Sequence, residues 1–143
     1  MVGLVRIETP SFLFVDQDPR WLSALRRASR DLPGPKHFAR NAEEAMELVR
    51  EHEPSVVVSG YGLPEVDGLT LLEQIRAQYP RVACVLHTGR PARLLRVVRD
   101  IALVEKGEAP WVLQGVLRAL WVAFTGRALR PPGRYNGEIV NFS

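Results

Sequence analysis

The sequence predicts an α/β fold in which a parallel sheet carries helices on both faces. Five short apolar runs, at residues 11–15, 36–39, 56–59, 82–86 and 101–104, alternate with stretches of helical periodicity. The first, third and fourth runs are nearly continuous in β-branched or aromatic character, which is how strands buried on both faces read. Strict strand–helix alternation then implies parallel pairing through right-handed crossovers.

Each element has its own local reason. Asp18-Pro19 offers a helix N-cap followed by proline at the first helical position, where the missing N–H has no partner to lose. Trp21, Leu22, Leu25 and Ala28 repeat behind it at helical spacing. The run at 36–39 is the least distinct strand of the five. Asn41, with Glu44 three residues later, resembles a capping box, and Ala45, Met46, Leu48 and Val49 supply the apolar face. Asp67 reads as the cap of the next helix, which carries Leu69, Leu72 and Ile75 and closes at Pro80. Pro91 opens a short helix to about residue 100. Pro110 opens a long one, striped by Val112, Leu113, Val116, Leu117, Leu120 and Phe124. The domain is expected over residues 11–129, with extensions at 1–10 and 130–143. The second extension holds Pro131-Pro132-Gly133 and Asn136-Gly137, and its one candidate strand lies at 137–142.

A chain of 143 residues is long enough for one domain with a working core. The single cysteine, Cys84, cannot form an internal disulfide and lies in an apolar run, so it reads as a buried small hydrophobe. No secretory leader is visible. The longest apolar candidate, residues 111–125, is broken by Gln114 and Arg118 and is shorter than the roughly 20 residues a membrane span needs. These features point to the cytoplasm. A net charge of +3 permits nucleic-acid contact without arguing for it.

The order of motifs resembles the receiver domain of two-component response regulators over residues 11–129. Residues 12–19, FLFVDQDP, look like that family's first strand and acidic turn. Residues 41–45, NAEEA, look like the start of its second helix. Residues 63–68, LPEVDG, follow the third strand at the family's spacing. Leu86-His87-Thr88-Gly89 ends the fourth strand, and Lys106 follows the fifth. The resemblance implies a flavodoxin-like sandwich with strand order 2-1-3-4-5 and a site at the carboxyl edge of the sheet.

In that family an aspartate after strand three accepts a phosphoryl group. Two acidic residues after strand one hold Mg²⁺, and a hydroxyl and a lysine contact the phosphoryl oxygens. Phosphoryl transfer needs all of these, because the nucleophile must be placed and the developing charge neutralised. Carried onto this chain, the acceptor position is Gly60, which has no side chain. The acidic pair is Asp16 and Gln17, of which only the first is a carboxylate, whereas Mg²⁺ prefers hard charged oxygens. Thr88 and Lys106 are kept. The aromatic switch position is Leu103, the usual proline after the lysine is Gly107, and the stretch between Thr88 and Lys106 is shorter than usual. The resemblance therefore implies a receiver that accepts no phosphate, with no catalytic residue, metal or other cofactor. An Asp16–Lys106 ion pair is expected to fill the pocket. Ser59 is expected to face inward, satisfied by backbone, and His87 to pack away from the pocket.

The function expected is phosphorylation-independent binding of a protein partner in bacterial signalling, with no output domain attached and a homodimer left open. The candidate surface is Arg93, Arg96 and Arg99 on the short helix together with Trp111, since receivers commonly signal through that side. Two rival readings stand beside it. One is nucleic-acid binding through the same helix and Arg127, Arg130 and Arg134, for which no recognised motif speaks. The other is a small ligand in the vacated pocket.

Overall fold

A computed structural model describes residues 9–89 and 101–128, with side chains to residue 125. The strands are β1 (Phe12–Val15), β2 (Lys36–Ala39), β3 (Val56–Ser59), β4 (Ala83–Thr88) and β5 (Ile101–Glu105). The helices are α1 (Pro19–Ala28), α2 (Ala42–His52), α3 (Gly68–Gln78) and α4 (Pro110–Ala128). All strand pairings are parallel, and the sheet order is β2-β1-β3-β4-β5, as expected. Strand β4 starts one residue later and runs two residues further than its apolar run, because His87 and Thr88 continue the ladder to Val104 and Glu105.

Alternation along the strands sorts the core into two layers. Leu13, Val15, Val57, Cys84 and Leu86 pack with α2 and α3. Phe12, Phe14, Val56, Val58, Val85 and Val104 pack with α1 and α4. The three central strands are therefore apolar on both faces, while edge strand β2 is only half-buried. Cys84 lies in the first layer, and burial pushes its thiol up to about 12, so it stays protonated and apolar.

The caps behave as the sequence predicts, with one variation. The Asp18 carboxylate accepts from Arg20 N, and that of Asp67 from Thr70 N. Asn41 Oδ1 accepts from Glu44 N at 2.8 Å, but the returning Glu44 carboxylate accepts from Arg40 N instead of the cap's own N–H. The short helix expected at 91–100, residues 1–8 of the first extension, the whole of the second, and Arg93, Arg96, Arg99, Arg127, Arg130 and Arg134 fall outside the described residues or side chains.

Candidate functional site

The carboxyl ends of β1, β3, β4 and β5 bring Asp16, Gly60, Thr88 and Lys106 together. Asp16 follows β1 with only 4% of its surface exposed. Its Oδ1 accepts from Asp18 N at 2.9 Å, which turns the carboxylate back over the sheet edge. Its Oδ2 lies 2.9 Å from Lys106 Nζ. That oxygen accepts no aligned hydrogen bond, so the ammonium compensates it by charge. The expected ion pair is present.

Gly60 explains why the pair can form. A Cβ built on Gly60 would lie 2.6 Å from Asp16 Oδ2 and 3.5 Å from Lys106 Nζ. The space beyond the end of β3 is thus taken by the Asp16 carboxylate. The loop behind it is drawn equally close. Gly60 O accepts from Ser59 Oγ at 2.8 Å, and a Cβ on Gly68 would come within 1.7 Å of the same oxygen. Ser59 is buried, inward-facing and satisfied by backbone, as expected.

Two aromatic rings enclose the pair. Trp21, half-buried on the first turn of α1, has its ring centroid 4.9 Å from Lys106 Nζ, within cation–π range. His87 meets the same indole edge-on at 5.3 Å. His87 lies on the α1–α4 side of the sheet, 2% exposed, and its Nδ1 has no hydrogen-bond partner. Burial first, and the Lys106 charge second, hold its imidazole down to about 4, so it is neutral near pH 7. His87 packs as the sequence suggests, but it stands close enough to the pocket to feel Lys106.

The other expected residues are placed differently. Gln17 is exposed, and its carbonyl accepts from the Arg40 guanidinium at 3.0 Å. Thr88 is buried at the end of β4. Leu103 is 45% exposed on β5, and Trp111 is 71% exposed at the start of α4, so neither is a core residue. Sequence reasoning missed Trp21 as part of the site. Its helical spacing fits core packing equally well, and no local pattern reveals contact with a lysine after β5.

The donor set does not fit a divalent cation. Asp16 already faces an ammonium, which would repel a second cation. Asp18 is turned to Arg20, whose hydrogen bonds hold its carboxyl down to about 2. Among the described residues no three His, Cys, Asp or Glu side chains converge as metal ligands.

A family model for the response regulator receiver domain matches residues 12–98, more than half of the chain. The chain belongs to the response regulator receiver family. Receiver domains are in general signalling modules of two-component systems, without enzymatic activity of their own. This receiver resembles the signal receiver domain of an HD domain-containing protein from Pseudomonas fluorescens Pf-5, at 30% identity and a TM-score of 0.75 over 84% of this chain and 99% of that one. It shares the fold of the isolated receiver domain of RcsB from Salmonella enterica serovar Typhimurium, at 21% identity and a TM-score of 0.72 over 86% and 100% of the two chains. It is also 46% identical over 43 residues, or 30% of the chain, to a protein-glutamate methylesterase/protein-glutamine glutaminase from Oleidesulfovibrio alaskensis. The matched stretch spans only 12% of that relative's length. Among the described residues no helix is long and apolar enough to cross a membrane.

Proposed function

We propose that this receiver acts by binding a protein partner without being phosphorylated, as a degenerate member of its family in a bacterial cytoplasmic signalling pathway. The observation that carries the reading is the Asp16–Lys106 pair lodged against Gly60. Where the family resemblance places the acceptor aspartate there is no side chain. Asp16 serves instead as the counter-ion of Lys106, so charge balance inside the pocket needs neither Mg²⁺ nor a phosphoryl group. A site neutralised this way has one stable arrangement, which suits a fixed binding module better than a switch. Exposed Trp111 supplies an aromatic anchor of the kind that dominates binding surfaces.

The test is incubation of the full chain with acetyl phosphate and Mg²⁺, followed by intact-mass spectrometry. No mass gain is expected. A gain of one phosphoryl group mapped to Asp16, Ser59 or Thr88 would overturn the reading.

A further inference from the structure

Strand β2 ends the sheet with one side of its backbone open. Phe12 N donates to Pro35 O and Asp16 N to Ala39 O, so the odd-numbered residues turn their peptide groups to β1. Alternation turns those of Lys36, Phe38 and Arg40 outward. The Arg40 N–H is taken by the Glu44 carboxylate at 2.9 Å. Lys36 and Phe38 make no outward backbone bond among the described residues. Open strand edges are normally paired or covered. The flank of this edge on the α1 side is cationic. The Arg26 guanidinium lies 4.0 Å from the Phe38 ring centroid, and Lys36 Nζ donates to Leu32 O. Neither cation has an ion-pair partner among the described residues.

The path of the last helix leads toward this edge. Trp121 Nε1 donates to Pro33 O at 2.8 Å, which holds α4 beside the loop that enters β2. The helix then continues to Ala128, about 10 Å further along. It packs on the same face of the sheet as α1. Connections between parallel strands are right-handed in nearly all folds. On this face that hand carries the chain from β1 through α1 outward to β2. From β5 through α4 the same hand leads in the same direction, and the first vacant place lies beyond β2. A place beyond β5 would need the rare left-handed connection.

We infer that residues 137–142, GEIVNF, add to the free edge of β2 as a sixth, parallel strand. Residues 129–136 reach about 26 Å when extended, enough to return the overrun of α4 and pass outside Lys36. Pro131 and Pro132 fall in that connection, clear of the ladder they would interrupt. The backbone pattern fixes the parity of pairing, and charge fixes the register. With Glu138 beside Lys36, Val140 lies beside Phe38 and Ile139 beside His37. Glu138 then meets the cationic flank formed by Lys36 and Arg26. Ile139 falls on the α2 side, where the rings of His37 and His52 stack at 4.0 Å. The peptide groups of residues 137, 139 and 141 turn toward Lys36 and Phe38, which satisfies the open N–H and C=O of both. With β2 closed by its own chain, that edge offers no strand for another molecule to extend.

Amide hydrogen exchange of the full chain, read by two-dimensional NMR, measures this. The Lys36 and Phe38 amides are expected to exchange at least about tenfold more slowly than open amides. Ile139→Pro removes a ladder N–H and should return both to the open rate, with unchanged protection of the Phe12 amide as the control for folding. In a Lys36→Cys/Glu138→Cys variant, oxidation should close an intramolecular disulfide, since paired strand residues stand within bridging distance. Lys36→Cys/Ile139→Cys, whose side chains leave opposite faces, should close none. Open-rate exchange at Lys36 and Phe38 in the wild type overturns the proposal. So does protection that survives Ile139→Pro, which would assign the edge to another segment such as residues 1–8. Protection that fades on dilution would assign it to a second copy and overturn it as well. So would a disulfide that forms equally in both cysteine pairs. None of these failures touches the mass-spectrometric test of phosphate acceptance, so the two readings fail separately.

Discussion

Removing either member of the buried pair should destabilise the fold, and the two losses should be unequal. The Asp16 side chain is 5% exposed and that of Lys106 is 19% exposed. Lys106→Met strands a carboxylate that keeps only the Asp18 N–H and cannot reach water. The expected cost is about 3–5 kcal/mol, the range for breaking a buried ion pair. Asp16→Asn leaves an ammonium on a flexible stem beside the Trp21 ring, already one-fifth exposed and free to tip outward. Its expected cost is smaller, about 1–3 kcal/mol. The double variant removes both charges together and should cost less than the sum of the singles by about 1–3 kcal/mol. A domain of this size is stable by roughly 5–15 kcal/mol, so equilibrium urea unfolding followed by tryptophan fluorescence resolves all three. Two results would refute the reasoning. One is additivity within about 0.5 kcal/mol, which would mean that the pair carries no coupling. The other is a larger loss for Asp16→Asn than for Lys106→Met.

Two further outcomes follow from the same region. The His87 imidazole is held down to about 4 in the folded protein, against about 6.5 in an unfolded chain, so on acidification the unfolded state takes up the proton first. Its contribution is complete above about pH 6.5 and is lost as pH falls toward 4, by roughly 3 kcal/mol, and urea midpoints across that window should vary less in His87→Leu. Gly68→Ala drives a Cβ to 1.7 Å from Gly60 O and should cost about 3 kcal/mol, the upper end of overpacking. Gly62→Ala, with nothing within 4 Å, should stay within about 0.5 kcal/mol in the same melt.

The fold was legible because its signals are local. The continuous apolar runs of β1, β3 and β4 mark a buried sheet, and Asp18, Asn41 and Asp67 each cap the helix that follows them. Even the weakest strand, β2, lies where its short run predicts, since an edge strand needs only half a face of apolar residues. The Asp16–Lys106 pair was legible for a different reason. A lysine at the sheet's carboxyl edge must find a counter-charge, and one carboxylate was in reach. What stayed hidden was pairwise and long-range. Trp21 over Lys106 depends on how far α1 leans across the edge. The Arg40 guanidinium on Gln17 O depends on a loop crossing, and the returning arm of Glu44 on one residue of backbone path.

The closeness of Gly60 to Asp16 also bears on how this chain could change over generations. A mutation introducing aspartate at residue 60 would add a carboxylate whose Cβ begins 2.6 Å from the oxygen that now neutralises Lys106. Two anions would then compete for one ammonium in a buried space. Room for a carboxylate at residue 60 would require Asp16 to withdraw as well, and withdrawal alone strands Lys106. Each single step is disfavoured, so the present arrangement acts as a ratchet that keeps glycine at residue 60.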